Sequence, residues 1–178
     1  RWVGAAIESV LAQRRPADEI IVVDDGSTDD SLQILREYES RGKIRLIAQQ
    51  NKGVAAARNN GIAAARSAYI VSLDADDMLD PHFIAACLPA LAADRGLGVA
   101  YTGLRYIDAE GRDSGYTEAR EFTWEFQAQA AVPPRTLIPS GCMFRREMWQ
   151  RAGGYRQQYA PGEDAEFWTR GLSLGFTA

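Results

Sequence analysis

Two short apolar runs in this chain each end in a group of carboxylates. Residues 19–24 are rich in isoleucine and valine and lead into Asp24 and Asp25, and residues 69–73 lead into Asp74, Asp76 and Asp77. A run this apolar is typical of a strand that is covered on both faces, as in a parallel sheet. The carboxyl ends of parallel strands meet at one edge of the sheet, where ligands bind. The pattern therefore predicts an α/β sheet with an acidic ligand site.

Helical periodicity separates and flanks these runs. Apolar residues recur at helical spacing before the first run, between the two runs, and after the second. Such alternation predicts an open, mostly parallel sheet with helices on both faces. The predicted helices cover residues 2–13, 27–41, 54–66, 81–94 and 164–174, and two further strands cover residues 44–48 and 99–106.

The pattern is less regular after Tyr106. A hairpin turn is predicted at residues 107–112, a short helix at 122–131, and a strand at 137–144 that Pro139 and Gly141 interrupt. No repeat, low-complexity tract or linker divides the chain, so we predict one domain over residues 1–178 with a small antiparallel portion in its second half.

Both ends of the sequence lead us to expect a fragment of a longer chain. An α/β sheet normally has a strand before its first helix, yet this sequence opens with Arg1, Trp2 and a predicted helix. Residues 175–178 resemble the opening of another strand.

Composition excludes several classes of protein. Twenty Lys and Arg residues against 24 Asp and Glu residues give a net charge of −4, which leaves no basic excess for a nucleic-acid backbone. No stretch has the apolar length of a membrane helix and no series at the start of the sequence resembles a signal peptide, so we expect a cytoplasmic protein whose parent could contact a membrane only through other segments. Cys87 and Cys142 form no Cys-x-x-Cys pair and are predicted to be buried free thiols.

The acidic groups predict a divalent cation. Like charges gathered at one sheet edge repel, and a bound cation relieves the repulsion. His82 is the single histidine, so the ligands would be oxygens and the metal Mn²⁺ or Mg²⁺. The alternative is that these acids cap helices or form turns, as is expected of Asp29 and Asp80.

Four motifs, in order, resemble those of the family 2 inverting glycosyltransferases, which have the GT-A fold. They begin with Asp24-Asp25-Gly26-Ser27 and continue with Gly53-x-x-x-Ala57-Arg58-Asn59-x-Gly61, Asp74-Ala75-Asp76-Asp77 and Gly162-Glu163-Asp164. The likeness covers nearly the whole chain, including the segments 141–146 and 152–155, which resemble the acceptor-side strand and helix of the family. Members usually begin with a strand that carries a Pro-x-Tyr-Asn-like segment, and this sequence has none before Arg1.

The resemblance implies a donor-binding half over residues 1–106 and an acceptor-binding half over 107–178. The donor would be a nucleotide-diphosphate sugar, by family expectation a UDP-sugar, and the acceptor a hydroxyl of a carbohydrate, lipid or protein. Asp164 would be the general base of a single inverting displacement, and Asp76 the metal ligand. The other residues that the resemblance places in the site are, on the donor side, Asp24, Asp25, Arg58 and Asp74, and, on the acceptor side, Gly141, Cys142, Glu163 and Trp168.

Large aromatics near the acceptor side, Trp168 among them, could stack on a sugar ring, although core packing is the general expectation for such residues.

Two other functions stay open. One is a catalytically silent module that binds nucleotide sugars; the presence of Asp76 and Asp164 favours an enzyme instead. The other is a sugar nucleotidyltransferase, which normally has a Gly-rich basic loop that this chain lacks. A dinucleotide oxidoreductase is disfavoured because no Gly-x-Gly-x-x-Gly follows a strand.

Overall fold

The computed structural model of the protein describes residues 2–120 and 138–178. Strands and helices alternate through residue 100, and a hairpin and two further helices follow. The helices are α1 (Val3–Leu11), α2 (Ser31–Ser40), α3 (Val54–Ala64), α4 (Phe83–Ala93), α5 (Arg146–Ala152) and α6 (Glu163–Leu172). The strands are β1 (Ile21–Asp24), β2 (Arg45–Ala48), β3 (Tyr69–Val71), β4 (Val99–Ala100), β5 (Leu104–Ile107), β6 (Asp113–Thr117) and β7 (Met143–Arg145). The predicted helix at 122–131 lies outside the described residues.

The first βαβ unit has the predicted parallel arrangement. β1 and β2 pair in parallel with Ile21 opposite Arg45 and Asp24 opposite Ala48. α2 connects them, and its buried Leu35 packs in one cluster with Val3, Ile7 and Ile44. The carboxyl end of β1 therefore brings Asp24 and Asp25 to one sheet edge, as the apolar run predicted.

A second group of strands is antiparallel around β7. β7 lies between β3 and β4 and pairs antiparallel with both, with Phe144 opposite Ile70 on one side and Val99 on the other. The described ladders thus contain more antiparallel pairing than the strand and helix alternation led us to expect. The predicted strand at 137–144 is wrong in its bounds, because Gly141 adopts a positive φ of 75° and the ladder begins only at Met143.

The predicted strand at 99–106 is two strands. β4 ends at Ala100, and β5 begins at Leu104 and pairs with β6, so the predicted hairpin around residues 107–112 is confirmed. Gly103 lies at the break, where an added Cβ would stand 2.7 Å from the carbonyl oxygen of Thr117. The chain changes partner here, since β4 pairs with β7 and β5 with β6, so residues 99–106 form two strands.

The largest core cluster lies beneath α5 and α6. Phe144 of β7 meets Phe167 and Trp168 of α6 edge to face, at ring-centroid distances of 5.9 and 5.4 Å. Met148 of α5 is fully buried among them. Cys87 and Cys142 are buried free thiols, as predicted. Near the end of the chain, Thr177 forms an isolated parallel bridge with Leu97.

Candidate active site at the carboxyl ends of the strands

Asp25 holds the turn that starts α3. Its Oδ1 accepts hydrogen bonds from the Gln49 side chain at 2.7 Å and the Lys52 N–H at 2.8 Å, and its Oδ2 accepts the Gly53 N–H at 2.8 Å. Desolvation opposes ionisation, but these three donors outweigh it and hold the pKa of Asp25 below its usual value. Asp25 is therefore an anion that fixes the loop leading to Arg58.

Asp24, its neighbour, has a different environment. Asp24 is 5% exposed, and its Oδ1 is buried without a hydrogen-bond partner among the described residues. A buried carboxylate oxygen without a donor is costly, so Asp24 is a candidate acceptor of a hydrogen bond from a bound group.

Arg58 joins the two halves of the chain. One guanidinium nitrogen lies 2.8 Å from Asp74 Oδ1 and the other 3.0 Å from Glu163 Oε1, and the side chain is 15% exposed. The guanidinium also lies 5.5 Å from the centre of the Tyr155 ring. Burial would lower the pKa of Arg58, but the hydrogen bond to Asp74 and the charges around it raise the pKa above its ordinary value. The structure thus places Arg58 in the site, with its charge already matched by two carboxylates.

The acids that follow β3 face partly toward solvent. Asp74 is half-buried, and Asp76 and Asp77 are exposed. Desolvation raises the pKa of Asp77, a hydrogen bond from Ser140 opposes the shift, and the charges of Asp74 and Asp76 add to it. The three carboxylates are therefore close enough to repel one another.

This donor set fits a hard divalent cation. Carboxylate oxygens are the ligands that Mg²⁺ and Mn²⁺ prefer, and such an ion relieves repulsion between them. Within residues 2–120 and 138–178, no three histidine, cysteine or carboxylate side chains form a complete metal site. A protein ligand such as Asp76 would thus share the ion with substrate phosphate oxygens, which is how Mg²⁺ is often held.

Asp164 lies at the start of α6 and lines a small cavity of about 30 Å³. Arg58, Asp74, Cys142, Tyr155 and Trp168 line the same cavity. Asp164 Oδ1 accepts the N–H of Ala165 at 2.7 Å. In the described part of the chain the carboxylate of Asp164 forms no ion pair. The preceding Glu163, in contrast, is buried and paired with Arg58.

The predicted acceptor-side residues lie mainly in the core. Gly141 donates its N–H to the carbonyl oxygen of Ser72 at 2.8 Å, which ties the segment before β7 to the residue after β3. Cys142 and Trp168 are 1% and 3% exposed. Both still line the small cavity, so they shape its floor and leave little surface for stacking on a sugar.

Ser140 is a site residue that the sequence did not point to. Its hydroxyl accepts the N–H of Asp74 at 3.2 Å and also hydrogen-bonds to Asp77. It lies 66 residues from Asp74 in an apolar segment, and a single serine there carries no motif. Only the pairing of β7 with β3 brings it to the acidic group.

The family model for glycosyl transferase family 2 matches residues 1–152. The chain belongs to this family, and its fold is the GT-A fold of glycosyltransferases. The resemblance to family 2 is thereby confirmed, and the match includes the first three motifs but ends before Gly162-Glu163-Asp164.

Several relatives match most of the length of this chain. A chondroitin synthase of Escherichia coli is 30% identical over 178 residues, which cover 98% of this chain and 25% of that protein. A hyaluronan synthase of Pasteurella multocida is 24% identical over 98% of this chain and 18% of the relative. An uncharacterised glycosyltransferase of Nostoc is 38% identical over 85% of this chain and 49% of the relative. The chain thus spans a quarter or less of the two named synthases.

Solved structures agree on the fold. A mannosyltransferase of Pyrobaculum calidifontis, solved in complex with GDP-Man and Mn²⁺, has a TM-score of 0.71 at 20% identity over 99% of this chain and 50% of that one. Residues 1–349 of TarS from S. aureus with UDP-GlcNAc give a TM-score of 0.68 at 22% identity over 96% of this chain and 49% of that one.

Within the described ranges, none of the helices combines the length and apolar character that crossing a membrane requires.

Proposed function

We propose that this chain transfers a sugar from a nucleotide-diphosphate sugar to an acceptor hydroxyl, with inversion at the anomeric carbon. The observation that carries the proposal is the cavity that Asp74 and Asp164 share. It places an acid of the donor-side motif beside an acid of the last helix, in a chain of glycosyl transferase family 2. Residues 1–106 would form the donor half and residues 107–178 the acceptor half.

Asp164 is the proposed general base. The acceptor hydroxyl gives its proton to the Asp164 carboxylate as its oxygen bonds to the anomeric carbon. The bond from that carbon to the phosphate oxygen breaks, and the nucleotide diphosphate leaves without a covalent enzyme intermediate. Glu163 is less suited to this role, because its Oε1 is already paired with Arg58 at 3.0 Å.

The donor side is proposed to use the acids at the strand ends. Asp76 is exposed and would hold Mn²⁺ or Mg²⁺ together with the diphosphate. When bound, such a cation neutralises the charge that develops on the leaving diphosphate. Asp25 Oδ2 accepts one N–H in the structure and retains a lone pair for an N–H of the nucleotide base. Asp24 lies beside it, and Arg58 holds Asp74 in place.

We propose a UDP-sugar as donor and a carbohydrate as acceptor. The names of the E. coli and P. multocida relatives support a polysaccharide product, and the complex of TarS with UDP-GlcNAc supports the uridine nucleotide. A lipid or protein acceptor would use the same chemistry. The cytoplasmic location inferred from composition stays a prediction.

Calorimetric titration of UDP into the protein tests the donor half. We expect binding with Mn²⁺ and its loss with EDTA, and weaker metal-dependent binding in Asp76→Ala. Asp30→Ala removes an exposed acid that makes no side-chain cap and is the matched control. Titration of GDP in place of UDP tests which nucleotide base the site prefers. Equal affinity of Asp76→Ala and the unaltered chain for UDP with Mn²⁺ would contradict the metal assignment, and donor binding without transfer to any acceptor would favour a silent module.

A further inference from the structure

Tyr155 combines deep burial with a side-chain hydroxyl that has no hydrogen bond among the described residues. The residue is 5% exposed, and its hydrogen bonds are those of its backbone N–H and carbonyl to Asn59. A buried tyrosine hydroxyl normally has a partner, because an unpaired polar group away from water is costly. Among the buried and half-buried residues that the structure describes, Asp24 Oδ1 is the one fully enclosed side-chain oxygen without a partner. The Oη of Tyr155 is therefore not fully enclosed and borders open space.

This open space is the small cavity of about 30 Å³ that Tyr155 lines together with Asp164, Asp74 and Arg58. Burial raises the pKa of Tyr155 well above its ordinary value, and the negative charges of Asp164 and Asp74 add to the shift, while Arg58 opposes it. The two acids of the cavity thus act on the Tyr155 hydroxyl, in agreement with an Oη that faces them. A phenol with a raised pKa keeps its proton at neutral pH, so Tyr155 contributes an O–H donor to the cavity.

The Tyr155 ring is fixed by contacts that do not need its hydroxyl. Asn59 Oδ1 accepts the Tyr155 N–H at 2.9 Å, and Asn59 Nδ2 donates to the Tyr155 carbonyl oxygen at 2.8 Å. The ring packs against that of Phe167 with centroids 4.2 Å apart, and the guanidinium of Arg58 lies 5.5 Å from its centre. A phenylalanine at this position would keep all of these contacts. The hydroxyl therefore contributes little to the fold and is available to a ligand.

The cavity has room for one small group. A volume of about 30 Å³ accommodates a single water molecule or a single hydroxyl group, but not a sugar ring. Asp164 supplies a hydrogen-bond acceptor to the cavity, because its Oδ1 accepts the Ala165 N–H and its Oδ2 accepts no hydrogen bond from the described residues. The cavity thus joins an O–H donor to a carboxylate acceptor, and a single hydroxyl group can bind to both.

We propose that Tyr155 is an acceptor-binding residue, whose hydroxyl donates a hydrogen bond to the oxygen of the attacking hydroxyl group while that group gives its proton to Asp164. This role rests on the proposed function, in which Asp164 is the general base. The attacking oxygen has one proton and two lone pairs. Tyr155 binds one lone pair and Asp164 takes the proton, which leaves the second lone pair for the anomeric carbon.

In the transfer step, the attacking oxygen forms a bond to the anomeric carbon. The bond from that carbon to the diphosphate oxygen breaks, and its electron pair leaves with the diphosphate. The proton of the attacking hydroxyl moves to Asp164, and Tyr155 retains its own proton throughout. Two fixed partners orient the attacking group before it reacts, which lowers the entropic part of the barrier.

Two other roles do not fit Tyr155. Its ring is too deeply buried against Phe167 to stack on a sugar. Because its pKa is raised, its hydroxyl is not ionised at neutral pH and is no general base. Hydrogen bonding from the O–H is the chemistry that remains for this side chain.

Water is an acceptor that fits the cavity, so the release of UDP from a UDP-sugar without any added acceptor tests the role of Tyr155. The probes are UDP-GlcNAc, UDP-GalNAc, UDP-glucose and UDP-glucuronate, each with Mn²⁺, and the donor that is hydrolysed fastest is used for all variants. We expect Tyr155→Phe to release UDP about tenfold more slowly than the unaltered chain, which is the usual effect of one lost hydrogen bond. Its affinity for UDP and its midpoint of urea unfolding should not change. Tyr159→Phe, at an exposed tyrosine, is the matched control and should behave as the unaltered chain.

The double variant Tyr155→Phe/Asp164→Asn separates this role from a structural one. Both residues act on the same hydroxyl group, so Tyr155→Phe should slow the release of UDP by less than about twofold once Asp164 is asparagine. An undiminished tenfold loss in the Asp164→Asn background, or a lower urea midpoint in Tyr155→Phe, would overturn the proposal and assign the hydroxyl to packing.

The same rates distinguish the failure of this proposal from that of the proposed function. If Asp164→Asn releases UDP more slowly than the unaltered chain and Tyr155→Phe does not, the role of Tyr155 is overturned and the proposed function stands. If Asp164→Asn and the unaltered chain release UDP at the same rate from all four donors, the proposed function fails and the role of Tyr155 fails with it.

Discussion

The guanidinium of Arg58 lies 2.8 Å from the carboxylate of Asp74, an acid 16 residues further along the chain. The same guanidinium reaches Glu163, so one cation of α3 holds an acid that follows β3 and an acid of α6. Because both of its contacts are protein carboxylates, Arg58 is better placed to fix the acids than to bind a diphosphate. This relationship makes Arg58 a positioning residue of the candidate site.

Replacing Arg58 should destabilise the fold. Arg58→Met leaves Asp74 and the buried Glu163 without a cation, and we expect a loss of about 2 to 3 kcal/mol in the free energy of unfolding, a value reduced for the partial exposure of Asp74. Urea unfolding at pH 7 measures it. Arg41→Met breaks an exposed pair at 4.0 Å and should cost below about 0.5 kcal/mol. Equal losses in the two variants would contradict the role of Arg58.

The Asp164→Asn variant should separate donor binding from transfer. Asparagine keeps the size of the side chain but cannot accept the acceptor proton, so we expect the transfer rate to fall by about 10² to 10⁴. UDP affinity, measured by calorimetry with Mn²⁺, should stay within about twofold because Asp164 is assigned to the acceptor side. Glu147→Gln, at an exposed acid of α5, is the control. A near-normal transfer rate in Asp164→Asn would exclude Asp164 as the base.

The strands of the first half were predictable because their apolar runs are local signals. Residues 19–24 and 69–73 contain few polar residues, and the structure has β1 and β3 within these bounds. The strand ends then place the acids at one edge. The prediction at 99–106 failed because β4 pairs with β7 while β5 pairs with β6, and the local sequence does not encode this change of partner.

The composition of the site was predictable, but its contacts were not. The motifs supplied Asp25, Asp74 and Asp164, since each follows a strand or starts a helix. The pairing of Arg58 with Glu163 spans 105 residues and depends on how α6 packs against α3. Such a contact leaves no periodic pattern, and neither does the hydrogen bond of Ser140.

Asn59 should be more important for stability than its neighbour Asn60. Its Oδ1 accepts the Trp149 Nε1–H and the Tyr155 N–H, both at 2.9 Å, and its Nδ2 donates to the Tyr155 carbonyl at 2.8 Å. Asn59→Ala leaves these groups unpaired, and we expect a loss of about 2 to 3 kcal/mol in urea unfolding. Asn60→Ala, at an exposed site of the same helix, should cost below about 1 kcal/mol. A smaller loss for Asn59→Ala than for Asn60→Ala would contradict this role.

Glu166 should contribute stability that depends on pH. The side chain of Arg170 donates to both of its carboxylate oxygens at 2.7 Å, and this hydrogen bonding holds the pKa of Glu166 below its ordinary value of 4.5. A carboxyl whose pKa is lowered on folding stabilises the protein above its unfolded pKa, and this stabilisation is lost as pH falls through the folded value.

We therefore expect Glu166→Gln to lower the free energy of unfolding by about 1 to 2 kcal/mol at pH 7. The difference from the unaltered chain should shrink as pH falls below about 4.5, because the unaltered Glu166 then becomes protonated as well. Chemical unfolding of both proteins at a series of pH values measures this difference in the free energy of unfolding. Glu37→Gln, at an exposed acid whose pair with Arg41 is 4.0 Å long, should show little difference at either pH. A deficit in Glu166→Gln that is constant from pH 7 to pH 3 would mean that packing, and not the charge pair of Glu166 with Arg170 within α6, is the source of the stability.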